Sequence, residues 1–187
     1  MTAGPVTDAD LAAGFPQDPE LFIEVHDRYF TVIYRYIAGR LGAQVAEDVA
    51  AETFLVAFDR RATFDVTRGD LRAWLFGIAT NLVAGHRRKE ARHYRALSRL
   101  DQPVAAEGHE GRVVASMAPR LLSPGLGKAL ARLSAGERDV LLLVALAELD
   151  YAEVAAALGI SPGTVGSRLH RARKKLTPVL AREALDE

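Results

Sequence analysis

The chain of 187 residues contains no cysteine, so disulfides and thiolate metal sites are excluded, and a reducing compartment fits. It has no long hydrophobic run. The longest, Val140–Ala147, is far too short to span a bilayer. Alternating segments rich in Val, Ile and Thr are missing, which argues against a sheet protein. The start of the chain, Met1–Ala13, is polar and acidic and does not read as a signal peptide, so a cytoplasmic protein is expected. The five histidines (His26, His86, His93, His109 and His170) show no metal-ligand spacing, and neither a Gly-rich phosphate loop nor a nucleophile motif is present. The expectation is a protein without cofactor or enzymatic activity.

What is present is charge sorted into blocks. The formal net charge is zero, yet residues 1–59 carry 3 basic and 10 acidic side chains, and residues 60–99 carry 10 and 3. Residues 100–159 return to a net of −3, and residues 160–182 hold 6 basic and no acidic side chains. Polyanion binding needs local positive potential, not a positive total.

The second basic block lies in the most informative stretch, residues 150–176. Counted from Tyr151, small Ala155 falls at position 5, Gly159 at 9 and apolar Val165 at 15. A helix-turn-helix needs this register. Two helices cross closely at position 5, the turn at 9 asks for positive φ, and an apolar residue at 15 pins the second helix to the first. Asp150 with Glu153 forms a capping box for the first helix. Ser161 followed by Pro162 starts the second. Val165, Leu169, Ala172 and Leu176 share the inward stripe, while Gly163, Gly166, Ser167, His170, Arg171 and Lys174 face out.

Elsewhere the helical period dominates. Residues 1–17 are expected to be disordered. Pro19–Leu41 and Gln44–Phe58 read as amphipathic helices separated by Gly42, the latter with Val49, Phe54, Leu55 and Phe58 inward. Ala62–Gly69 is a loop, and Asp70 caps a helix from Leu71 to about Leu100. Pro- and Gly-rich residues 102–127 read as a flexible linker. A short helix near Lys128–Leu133 and one at Ala135–Ala147, capped by Ser134 and Glu137, lead into the helix-turn-helix. The fold class expected is all-α: two small helical domains, 18–100 and 128–187, tethered by residues 101–127.

Four features of the first domain stand out: the acidic patch Ala46-Glu47-Asp48-Val49-Ala50-Ala51-Glu52-Thr53-Phe54; the loop Thr63–Asp70 with Phe64 near its start; Trp74-Leu75-Phe76-Gly77-Ile78-Ala79-Thr80-Asn81; and the tract His86–Arg95, which interleaves cations with aromatics. Asp48 and Glu52 sit one turn apart on one helix face, which suits a basic protein partner and cannot bind DNA phosphates.

In this order, before a helix-turn-helix, these strings resemble the bacterial sigma-70 family, most closely its extracytoplasmic-function (ECF) group. The resemblance covers Leu21–Arg99 (the family's region 2) and Ala129–Leu180 (region 4). It implies a monomer that binds core RNA polymerase, selects promoters and helps open the duplex, held in check by an anti-sigma factor. Glu47, Asp48, Glu52 and Phe54 would face the polymerase, on its β′ clamp helices and β subunit. Phe64, Asp65, Arg68, Asn81, Arg87 and Arg88 would contact the minus-ten element, with Phe64 capturing an unstacked base. Ser167, His170 and Arg171 would face base edges of the minus-thirty-five element, with Thr164, Arg168, Arg173 and Lys174 beside them, the cations on phosphates. The chain departs from the pattern at Ala51, Gly85 and Gly166, the last of which removes a cation from the groove-facing stripe. The alternative is a helix-turn-helix regulator with an N-terminal sensing domain.

Overall fold

The computed structural model describes residues 6–97 and 124–183. Residues 98–123, which include most of the expected linker, lie outside them. Among the described residues there is no strand, and no helix is long and apolar enough to cross a membrane.

The chain does not begin as expected. Thr7–Phe15, read as disordered, is built on helix α1 (Asp8–Gly14). Thr7 and Asp10 form a reciprocal capping box, and Leu11 and Phe15, one turn apart, are fully buried. A polar composition concealed two anchors at helical spacing. Helix α2 (Phe22–Leu41) buries Val25, Tyr29, Ile33, Tyr36 and Ile37 along one stripe and stops at Gly42, whose φ of +84° an L-residue rarely adopts. Helix α3 (Ala43–Asp59) packs antiparallel to α2 through Ala46, Val49, Ala50, Phe54 and Ala57. Two short 3₁₀ turns, Arg61–Thr63 and Val66–Arg68, lead to helix α4 (Leu71–Leu97), which Asp70 opens by accepting the Ala73 N–H at 2.6 Å. Leu71 through Thr80 of α4, Arg72 and Trp74 apart, are almost completely buried.

The second half comprises α5 (Pro124–Ala131), α6 (Ala135–Leu146), α7 (Tyr151–Leu158) and α8 (Pro162–Glu183). The capping boxes Ser134/Glu137 and Asp150/Glu153 form as the sequence indicates. Gly159 turns between α7 and α8 with φ +62°, Ala155 is buried beneath the crossing, and Val165, Leu169, Ala172 and Leu176 are the buried stripe of α8.

The two halves are docked on one another. A single apolar core runs from Leu75 and Phe76 in α4 to Val140, Leu143 and Val154 in α6 and α7. Helices α4 and α7 approach so closely that a Cβ on Gly77 would lie 2.5 Å from the Ala157 carbonyl oxygen. Arg72 reaches across to the Ala147 carbonyl (2.5 Å) and stands 3.6 Å from the Glu153 carboxylate. Burial and the neighbouring Asp70 carboxylate push the Glu153 carboxyl up. Arg40 of α2 pairs with Asp139 of α6 at 2.5 Å.

Candidate polymerase and promoter surfaces

The acidic patch is a face of α3. Glu47, Asp48 and Glu52 are exposed. Leu55, which the sequence places inward, continues the same face three residues on, and 61% of its surface is exposed. Phe54 points the other way. It is 2% exposed, with its ring centroid 5.0 Å from His26 and 5.9 Å from Phe30. Neighbouring positions in a helix face different directions, so Phe54 holds α3 on α2 and is not on the surface expected to meet polymerase. Leu55, a large apolar side chain exposed beside carboxylates, is the residue that sequence periodicity missed.

The loop before α4 is ordered by its own side chains. Asp65 accepts from the Thr67 N–H (2.9 Å) and hydroxyl (2.7 Å), and these bonds hold its carboxyl below the usual range. Arg68 is exposed. Phe64, expected to stand free in a polar loop, is 8% exposed. Its ring lies 5.4 Å from Trp74, which Phe15 meets edge-on from 6.4 Å. The cause is physical: the apolar floor is Trp74 of α4, itself met by Phe15 at the end of α1, a helix that the sequence pattern does not announce. Between this loop and the α7–α8 turn lies a cleft of about 590 Å³, lined by Phe64, Arg68, Trp74, Ala155, Ala156 and Ile160 among others.

Along α4, Asn81 and Arg88 are exposed. Arg87 is not free in the same way. Its Nη2 donates to the Arg40 carbonyl at 2.8 Å, and burial, then the Arg40 charge, lowers its pKa to about 10.

On α8, Ser167, His170, Arg171, Arg173 and Lys174 are exposed. Thr164 is half-buried, donating its N–H to Ser161 Oγ at 3.2 Å. The Arg168 guanidinium lies over Gly136, where a Cβ would come within 2.8 Å of Nη1. A Cβ on Gly166 would meet only Tyr151, at 3.9 Å, so packing does not demand glycine at this position.

Two family models match the chain: sigma-70 region 2 over residues 21–93, and sigma-70 region 4 over residues 125–176. The chain belongs to the sigma-70 family. Its relatives place it in the ECF group of promoter-directing RNA polymerase sigma factors. It is 36% identical to the ECF sigma factor SigL of Mycobacterium tuberculosis over 169 residues, covering 90% of this chain and 93% of SigL. It is 32% identical to the ECF sigma factor BldN of Streptomyces coelicolor, covering 89% of this chain but 63% of BldN. A solved complex of the sigma factor RpoE with the anti-sigma factor NepR, from Bartonella quintana, shares the fold. There the TM-score is 0.63 at 25% identity, over 86% of this chain and 96% of that one. The residues that a one-component regulator would devote to sensing are region 2.

Region 4 holds one residue that the sequence showed only as a cap. Glu137 is 5% exposed, and its carboxylate does three things. It accepts the Ser134 N–H (2.9 Å), pairs with Lys175 (2.7 Å) and stands 3.5 Å from Arg171 Nε. The bond from Lys175, with that from Ser134, holds its pKa down at about 2. An acidic residue at the third position of a helix, facing a helix with cations one turn apart, was the available signal.

Proposed function

We propose that this sigma factor docks on core RNA polymerase through the α3 face of Glu47, Asp48, Glu52 and Leu55. Phe54 supports that face from beneath. Region 2, within residues 18–100, then meets the minus-ten element with Arg68, Asn81, Arg87 and Arg88, and Phe64 and Asp65 shape the loop that receives an unstacked base. Region 4, within residues 128–187, lays α8 in the major groove at minus thirty-five. There Ser167, His170 and Arg171 read base edges, and Thr164, Arg168, Arg173 and Lys174 hold the backbone. The protein works in the cytoplasm and performs no bond-making chemistry of its own. Because the similar RpoE is held by an anti-sigma factor, a protein inhibitor is the expected regulator here.

The segregation of charge carries this reading. The exposed α3 face presents Glu47, Asp48 and Glu52, whereas the exposed stripe of α8 presents Arg171, Arg173 and Lys174. One suits a cationic protein and the other a polyanion. The test is to sequence transcripts made in vitro by core polymerase plus this chain. Discrete start sites with shared upstream elements support the reading, and unchanged transcription without the chain overturns it. D48K/E52K tests the docking face: core pull-down should weaken while the circular dichroism spectrum stays the same.

A further inference from the structure

Where α2, α4 and α6 meet, a buried guanidinium, Arg40, pairs with one carboxylate, Asp139, and a second, half-buried guanidinium, Arg87, stands beside it. Arg40 is 3% exposed. It donates to the Tyr36 hydroxyl through Nη1 and to Asp139 through Nη2, each at 2.5 Å, and its Nε is buried with no partner. Arg87 reaches the Arg40 carbonyl, and its Nε is likewise buried without a partner. Asp139 belongs to region 4, while both arginines belong to region 2. Buried excess positive charge is costly, and unfilled donors add to the cost. A phosphodiester offers what is missing: a negative charge and two acceptor oxygens that match a guanidinium fork. Arg87 is followed by exposed Arg88 and Lys89 on the helix assigned to minus-ten DNA.

We propose that Arg40 and Arg87 form a DNA-phosphate site on region 2, which Asp139 of region 4 occupies in the closed molecule as an internal decoy. The inference rests on the reading of α4 as a DNA-contacting helix. Elements at minus ten and minus thirty-five lie about 85 Å apart along B-DNA. A compact chain of this length has a radius of gyration near 16 Å, so the docked form cannot reach both. The 26 residues between Leu97 and Pro124 can span at most about 90 Å. Undocking is therefore required, and it withdraws Asp139 while the phosphate arrives. By linkage, DNA on region 2 releases region 4, and a docked region 4 weakens DNA binding by the same factor.

The experiment compares full-length wild type, D139N, R40Q and R87Q/D139N. Small-angle scattering measures compactness, and a 20-base-pair duplex of arbitrary sequence, titrated at several salt concentrations, measures phosphate contacts. D139N should expand the molecule, bind the duplex several-fold tighter and steepen the salt slope by about one to two. R40Q should also expand it, without the steeper slope. If R40Q does not fold, R87Q/D139N serves: it should expand like D139N and lose about one unit of the added slope. Wild-type compactness and slope in D139N would overturn the decoy. Equal gains in R40Q and D139N, or an undiminished slope in R87Q/D139N, would overturn the phosphate site. Promoter-specific transcription by wild type with core polymerase, measured alongside, separates these failures from failure of the sigma-factor reading.

Discussion

Replacing Gly77 by alanine should undock the two halves without unfolding either. The added Cβ would lie 2.5 Å from the Ala157 carbonyl oxygen, 3.4 Å from its carbon and 3.5 Å from its Cα. These are backbone atoms of α7, so no side chain can swivel aside, and α7 must retreat by roughly 0.5–1 Å. A gap of that size forfeits a quarter to a half of each dispersion contact across the interface, and overpacking of this kind costs about 1–3 kcal/mol. The docked population should fall about 5- to 150-fold relative to the undocked one. The sign within α4 is opposite: alanine favours a helix interior over glycine by about 1 kcal/mol, docked or not. G77A should therefore show a larger radius of gyration by scattering and faster amide exchange in α7, while region 2 melts no lower than in wild type. A scattering curve that superimposes on wild type, together with a lower melting temperature, would refute the reasoning.

F64A should lower stability by about 3 kcal/mol in urea denaturation, because Phe64 is buried against Trp74; a variant with wild-type stability would return Phe64 to a free loop position. E137Q should be less stable than wild type above pH 4.5, with the difference shrinking as pH falls toward about 2. The sign follows from a lowered folded-state pKa, whose contribution is lost on acidification; a difference constant from pH 7 to pH 2 would contradict it. R171A should relax preference at one or two minus-thirty-five positions at about 1–3 kcal/mol, whereas R173A should weaken all sequences alike. Binding to a promoter library distinguishes these, and exchanged roles would overturn the assignment.

Local features were legible because local chemistry decides them. Gly42 and Gly159 stop helices where positive φ is needed, the Ser134 and Asp150 boxes start them, and the α8 stripe falls at helical spacing. The exposure of candidate site residues such as Asp48, Glu52, Asn81 and His170 was legible for the same reason: a polar residue on a periodic helix faces out. Contacts across sequence were not. Phe54 and Leu55 were both assigned inward, and only tertiary packing separates them. Phe64 rests on Trp74, which Phe15, 59 positions before it, backs from the end of α1. The Arg40–Asp139 pair joins residues 99 apart, and no local pattern announces it. Glycine at 77 reads as a weak spot in a helix until the partner backbone is seen beside it.

Trp74 is the chain's single tryptophan, and it lines the cleft that loop and turn enclose. Its indole meets Phe15 and Phe64 and lines that cleft together with Ala152, Ala155 and Ala156 of α7. Separating the halves would remove the α7 wall of the cleft and open this face of the indole to bulk water, while leaving the aromatic neighbours in place. The protein thus carries an intrinsic optical probe in the cleft between its two halves. A red shift of its emission would follow undocking in unlabelled protein and in real time, whether DNA, polymerase or an inhibitor drives it.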